Sequence, residues 1–406
     1  MSPTDLSSCR AVLLAGRVPV AIGDGGEAVR LEPPERITPT ALTLNSEGIW
    51  LGSEGRLWRT PLGSGSWGPL EPWPADRTAT GRDDEMDSTL ARIRERHPDA
   101  RLECRRRFTA IEAARDGDVY AAFNESYDID GTGAHEFVEW RHPGLVRCAT
   151  EACREIYFEP LWDEDLDDIV VARSGEVWLA GSCAVRLNIN EDWFACYAGP
   201  YESWISCACE SPDGRLLFGT QGGVLALDPY AEERARREVR DPMGPESAHC
   251  RSLGDIDEAA TLLAGSDALP WVTRIAASPD GTIWGGMLSA GLLKMGVAES
   301  VCSPLFQSES PWRGPAVSFD GSFSPTDTIE PGSWAEEGLK PCTIRGISCD
   351  GRGRVWVATD GGLAVLDGEG WHAYATTIGG VELGPVYDIA VAGDGPDMLP
   401  ESTFGQ

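Results

Sequence analysis

IRGISCDGRGRVWVATDGGLAVLDGEGW, residues 344–371, decides how this chain is read. An alternating apolar segment runs into a Gly-containing turn, a second apolar segment follows around Trp356, and a Gly-Gly turn returns the chain into a third. Period-two patterning puts successive side chains on opposite faces of a strand, and turns this short join antiparallel neighbours. The stretch therefore predicts two consecutive β-hairpins.

The same plan recurs. VTRIAASPDGTIWGGMLSAGLLKM (272–295), WISCACESPDGRLLFGTQGGVLALD (204–228) and LDDIVVARSGEVWLAGSCAVRLN (166–188) are full copies, and ALTLNSEGIWLGSEGRLWRT (41–60) and FTAIEAARDGDVYAAF (108–123) are weaker ones. Their second-strand anchors are Trp50, Tyr120, Trp178, Leu217, Trp284 and Trp356. A seventh unit is split between the chain ends: VYDIAVAGDG (386–395) is a first strand without a second, and AVLLAG (11–16), anchored at Leu13, is a second strand without a first. Pairing the two leaves no open sheet edge, the expected device for closing a ring of sheets.

These units resemble the two-component regulator propeller repeat, in which an apolar strand is followed by D-x-x-G, a Trp, a small G-T pair and G-G-L. Asp350, Gly353, Trp356, Thr359, Gly361, Gly362 and Leu363 carry the closest match, and Asp213, Gly219, Thr220, Gly222 and Gly223 a second. The resemblance implies an all-β chain: a seven-bladed β-propeller of four-stranded antiparallel blades, with a sensor or ligand-binding role in a larger receptor system. No membrane span or kinase part accompanies it in this sequence. On physical grounds a blade that is apolar on both faces must stack on its neighbours, so the anchor aromatics are packing residues rather than a cofactor box.

The whole of 1–406 then forms one domain. Of the anchor spacings of 37, 70, 58, 39, 67 and 72 residues from Leu13 to Trp356, four exceed the roughly 40–50 of a compact blade, and the excess is read as insertions at 71–104, 229–270 and 303–341. The first contains DDEMDSTLARIRERHP, patterned as a short exposed helix, the second opens on the charged helical stretch AEERARREV, and the third is rich in Pro, Ser and Gly. ATLLAGS (260–266) mimics an anchor at Leu263, but only 21 residues separate it from Trp284, so seven blades are expected rather than eight.

Asp and Glu number 65 against 34 Lys and Arg, a formal charge of -31. Such a field repels nucleic acid and anionic membrane surfaces and suits a protein partner with a basic surface, or a cation. The N-terminal residues lack the pattern of a secretory leader, which gives a cytoplasmic expectation, with export after removal of a signal as the alternative. Ala, Gly, Arg and Asp usage suggests a bacterial source. The 12 cysteines show no CxxC and read mainly as small buried residues; Cys148 and Cys153 are close enough for a local bridge in an exported protein.

DIDGTGAHEFVE (128–139) places Asp128, Asp130, Thr132 and Glu139 at the oxygen-ligand spacing of a helix-loop-helix calcium site. The repeat plan makes the same residues part of a hairpin connection, with 124–135 as loop and HEFVEWRH as the next strand. A polar loop, a looser hairpin calcium site and the helical site are the three readings, in that order. The five histidines lack metal spacing, and no nucleophile elbow or phosphate loop is present. No catalytic residue is assigned. The expectation is a non-enzymatic propeller that binds a protein partner as a regulatory, sensor or scaffold component of a bacterial signalling pathway; the alternative is a divalent-metal-dependent lyase or hydrolase working near the axis.

Overall fold

Five of the turns are one structure. At Gly117, Gly175, Gly214, Gly281 and Gly353, φ lies between 81° and 94°, a region in which only glycine escapes a clash with its own Cβ. In each, the glycine N–H donates to the carbonyl three residues back, and that same residue donates its N–H to the carbonyl after the glycine, as in Gly353 to Asp350 at 3.0 Å and Asp350 to Arg354 at 3.1 Å. This is the three-residue hairpin loop with a glycine bulge.

The computed structural model describes residues 2, 5–33, 37–70, 88, 91–98, 101–130, 140–149, 152–156, 165–181, 184–187, 193–197, 205–220, 223–227, 260–265, 271–287, 291–295, 302–304, 343–367, 370–374 and 377–393. Almost all of them are strand or turn. They build seven four-stranded antiparallel sheets and one two-stranded hairpin. In chain order the first strands of sheets 1 to 6 are Pro39–Asn45, Arg101–Ala113, Asp168–Val171, Ile205–Glu210, Val272–Ala277 and Ile344–Cys349. Sheet 7 joins the two ends of the chain: Val386–Val391 pairs antiparallel with Cys9–Ala15, which continues to Val18–Gly23 and Ala28–Arg30. The first strand of each sheet lies against that of the next, and Val386–Val391 touches both Ile344–Cys349 and Pro39–Asn45.

Seven apolar clusters fill the described core, and each lies between two consecutive sheets. The anchors explain this. Trp50 packs on Phe108 and Ile111 of sheet 2, Trp178 on Phe218 of sheet 4, and Trp356 on Val386 and Ile389 of sheet 7. Small residues two places beyond the anchors make room for the neighbour. A Cβ at Gly52 would stand 2.6 Å from Phe108 Cβ, one at Gly219 2.3 Å from Cys207 Sγ and 2.9 Å from the Val272 carbonyl, and one at Gly286 2.7 Å from Ile344 Cγ2. The small residue in the repeat is thus a spacing requirement between sheets.

Several expectations shift in detail. In sheet 7 the anchor place belongs to Val12: it opposes Ala390 and packs toward sheet 1, whereas Leu13 packs back on sheet 6. The register shift between Leu13 and Ala15 hides this one-residue offset in the sequence. Arg101–Cys104, assigned to the first insertion, begins the 13-residue strand of sheet 2. In that insertion residues 91–94 are helical, but Ile93 is buried rather than exposed. Ala260–Gly265 is the fourth strand of sheet 4, pairing with Gly223–Leu227, which accounts for its anchor-like sequence without another blade. The stretch AEERARREV and residues 305–341 lie outside the described residues.

Candidate functional site at the axial cavity and its mouth

Six of the seven first strands carry a register shift at the same place, between the first and third residues of a four-residue stretch. Aligned there, the strands read PTAL (39–42), FTAI (108–111), LDDI (166–169), ISCA (205–208), VTRI (272–275), IRGI (344–347) and VYDI (386–389). A bulge turns the strand and re-aims the side chains beside it. The third residue of the stretch reaches toward the next sheet. Asp168 accepts the Ala208 N–H at 2.9 Å, Asp388 accepts the Leu42 N–H at 3.0 Å, and Arg274 Nε donates to the Arg345 carbonyl at 2.6 Å. Both aspartates also accept an N–H from the residue that follows them, Ile169 and Ile389, at 2.9 Å.

These strands enclose a cavity of about 480 Å³ on the axis. Five carboxylates line it, Glu112, Asp167, Asp168, Glu210 and Asp388, against one cation, Arg274. Enclosure away from bulk water disfavours the charged form, and like charges add to the effect. Burial, reinforced by Asp168 and Asp388, pushes the Glu112 carboxyl up to about 8. Burial pushes Asp168 and Asp388 to about 6, against the backbone N–H bonds and the Arg274 charge that favour their ionised forms. Desolvation likewise raises the thiols of Cys209 and Cys349 in the same wall, the latter to about 12, so they are poor nucleophiles.

Above this cavity opens a mouth of about 790 Å³. Its wall holds hydroxyls from the second place of the aligned stretches (Thr40, Thr109, Ser206, Thr273), the indole of Trp271, and Arg105, Arg106, Arg107 and Arg274 with Glu54, Glu125, Asp165 and Asp167. Arg274 lines both spaces. The long hairpin Arg101–Asp130 supplies the arginine run; Arg106 lies over the Phe123 ring at 4.6 Å and pairs with buried Glu125. Tyr387, the exposed large apolar side chain of the described residues, lines the axial cavity.

The calcium reading meets strands where helices would be needed. Asp128 and Asp130 lie on Val119–Asp130, opposite Glu103 and Arg101, and the next strand is Trp140–Ala149. The strand therefore runs further into 124–135 than expected; of HEFVEWRH, residues 140–142 are strand and 135–139 lie outside the described residues. Thr132 and Glu139 lie outside the described residues. Among the described residues no group of three or more His, Cys, Asp and Glu is arranged to hold a metal ion, and no helix is long and apolar enough to cross a membrane. Cys148 and Cys153 are directly opposite on adjacent strands and form a disulfide.

Sequence reasoning missed the axial residues. The available signal was the alignment of the seven first strands on their bulge, which brings Asp168, Arg274 and Asp388 to one position.

No family model matches the chain, and no curated protein matches it. Among solved structures it is similar to a streptogramin B lyase, at 12% identity over 88% of each chain with a TM-score of 0.50. It is also similar to catalytically inactive virginiamycin B lyase from Staphylococcus aureus with quinupristin, at 10% identity over 88% of this chain and 94% of that one, TM-score 0.50. Both are β-propellers. The chain has a propeller-like fold. At such identity the likeness concerns architecture and carries no activity with it.

Proposed function

We propose that this chain is a seven-bladed propeller, closed by the pairing of Val386–Val391 with Cys9–Ala15, which binds a protein partner at the mouth of its axis as a regulatory, sensor or scaffold component. The observation that carries the binding reading is how the axial acids are employed. Asp168 and Asp388 each accept two backbone N–H groups and tie one sheet to the next, so they act as fasteners, and the exposed arginines of the mouth are charged groups left to meet a partner. The seven inter-sheet clusters support the blade number. The narrower likeness to the two-component regulator repeat rests on the repeat residues alone.

A basic partner body facing the acidic surface agrees with the net charge of -31. The disulfide between Cys148 and Cys153 favours an exported protein over the cytoplasmic expectation. Asp128 and Asp130, at the end of the strand Val119–Asp130, enter the proposal with Thr132 and Glu139 as a looser hairpin calcium site. Affinity capture from source-cell lysate, in calcium and in chelator, tests both ideas. A stoichiometric protein companion, lost on charge reversal at the mouth, is expected, and its loss in chelator would assign the loop to calcium. Recovery of the chain alone under both conditions would overturn partner binding and favour the metal-dependent lyase or hydrolase alternative.

A further inference from the structure

The mouth gathers exposed guanidinium groups in an otherwise acidic protein, although Arg274 also faces the enclosed Asp168 and Asp388 below it. Arg107 and Arg274 are both exposed and line the same cavity. Among the described residues neither forms an ion pair: Arg274 donates only to the backbone carbonyls of Arg345 and Thr273, and its guanidinium keeps donors over. The other two arginines of this wall are engaged, Arg106 by Glu125 and Arg105 by contacts of its own. Beside them the Trp271 indole is fixed by its N–H bond to Ser206, and the hydroxyls of Thr40, Thr109 and Thr273 complete the rim. Glu54, Asp165 and Asp167, on the same wall, limit how much negative charge the site accepts.

Guanidinium groups match carboxylates in geometry, and a fixed indole offers a flat apolar face next to them. The surrounding field repels a polyanion. A segment that satisfies both conditions carries one carboxylate on an otherwise neutral or basic chain. We infer that the mouth takes the carboxylate of such a peptide segment, with Arg274 and Arg107 holding the carboxylate and Trp271 covering the neighbouring apolar side chain. This deepens the reading of the mouth as a partner site and rests on it.

N-acetyl-Lys-Ala-Phe as the free acid and as its amide, titrated into the full chain and followed by heteronuclear NMR, separates the charge from everything else. The acid is expected to bind at least about tenfold more tightly than the amide, with the difference abolished in R274Q and reduced in R107Q. R274K should retain part of it. Among the described residues the Arg107 side chain has no ion pair to lose, so R107Q should melt like the wild type and remains informative if R274Q is unstable. Equal binding of acid and amide, or binding unchanged in both variants, would overturn the carboxylate site while leaving partner capture intact. Saturable binding of succinate at the same arginines, with the tripeptide acid silent, would overturn the peptide source in favour of a small-molecule acid. Binding of none of the three would overturn the inference outright.

Discussion

Trp356 donates its indole N–H to the carboxylate of Asp350 across 3.0 Å, and through this bond the turn of sheet 6 holds the aromatic that packs sheet 6 on sheet 7. The same oxygen pairs with Arg354, while the other accepts the backbone N–H groups of Arg352 and Arg354. Trp284 with Ser278 and Trp50 with Asn45 repeat the arrangement using other acceptors. The turn residue and the anchor are therefore one unit: the acceptor fixes the ring, and the ring fixes the neighbouring sheet.

Replacing Asp350 by Ala strands these buried donors at once, and the cost is expected to be about 3 kcal/mol. The midpoint of urea unfolding should fall accordingly, with Asp350→Asn recovering part of the loss. An unaltered midpoint for the Ala variant would show that the bond contributes nothing.

Gly219→Ala asks for space that is already filled by Cys207 and Val272. Pushing apart two sheets at a packed interface costs about 1–3 kcal/mol. The thermal transition should move down, and pairing the change with Cys207→Ala should restore part of it. A double variant no better than the single would place the strain elsewhere.

Removal of residues 386–395 takes away the first strand of sheet 7. Cys9–Ala15 then loses its partner and Pro39–Asn45 loses the Asp388 bond to Leu42. The cooperative melting transition should broaden and drop. An unchanged transition would refute closure by the chain ends.

Glu112 is raised from 4.5 to about 8, and Asp168 and Asp388 from 3.8 to about 6. A group that holds its proton more tightly when folded contributes stability that is complete below its unfolded value and is lost as pH rises through the folded one. These three thus favour the folded state in acid, and their contribution fades first through about pH 6 and then about pH 8. Glu112→Gln should be more stable than the wild type at pH 9, by on the order of 2 kcal/mol because the cavity admits solvent and tempers the burial penalty. The gap should close toward pH 5. Parallel stability curves for the two proteins from pH 5 to 9 would rule out the raised carboxyl.

The Cys148–Cys153 bond spans a sequence separation of 5, and so short a loop is worth only about 2 kcal/mol. Reductant should lower the melting temperature slightly without unfolding the protein. Peptide mapping of unreduced protein from an oxidising compartment should recover the two cysteines joined; recovery of both as alkylated thiols would disprove the bridge.

Local chemistry determined the hairpins, the glycine turns and the second-strand anchors, because a two-residue period and a positive-φ glycine act within a few residues and leave a direct mark on the sequence. Joining the chain ends was legible for the same reason: AVLLAG and VYDIAV are half-units of a visible repeat. The anchor of sheet 7 was misplaced by one residue, since a bulge changes which face a side chain takes without changing residue type. The site was not legible. Asp168, Arg274 and Asp388 are separated by more than a hundred residues each, and Arg107 comes from the first strand of yet another sheet, sheet 2. The chain alone specified the hairpins of each sheet but not every fourth strand; the packing of sheet on sheet decided which charges meet, because that meeting depends on sheet-to-sheet stacking and bulge position, and neither follows from spacing along the sequence.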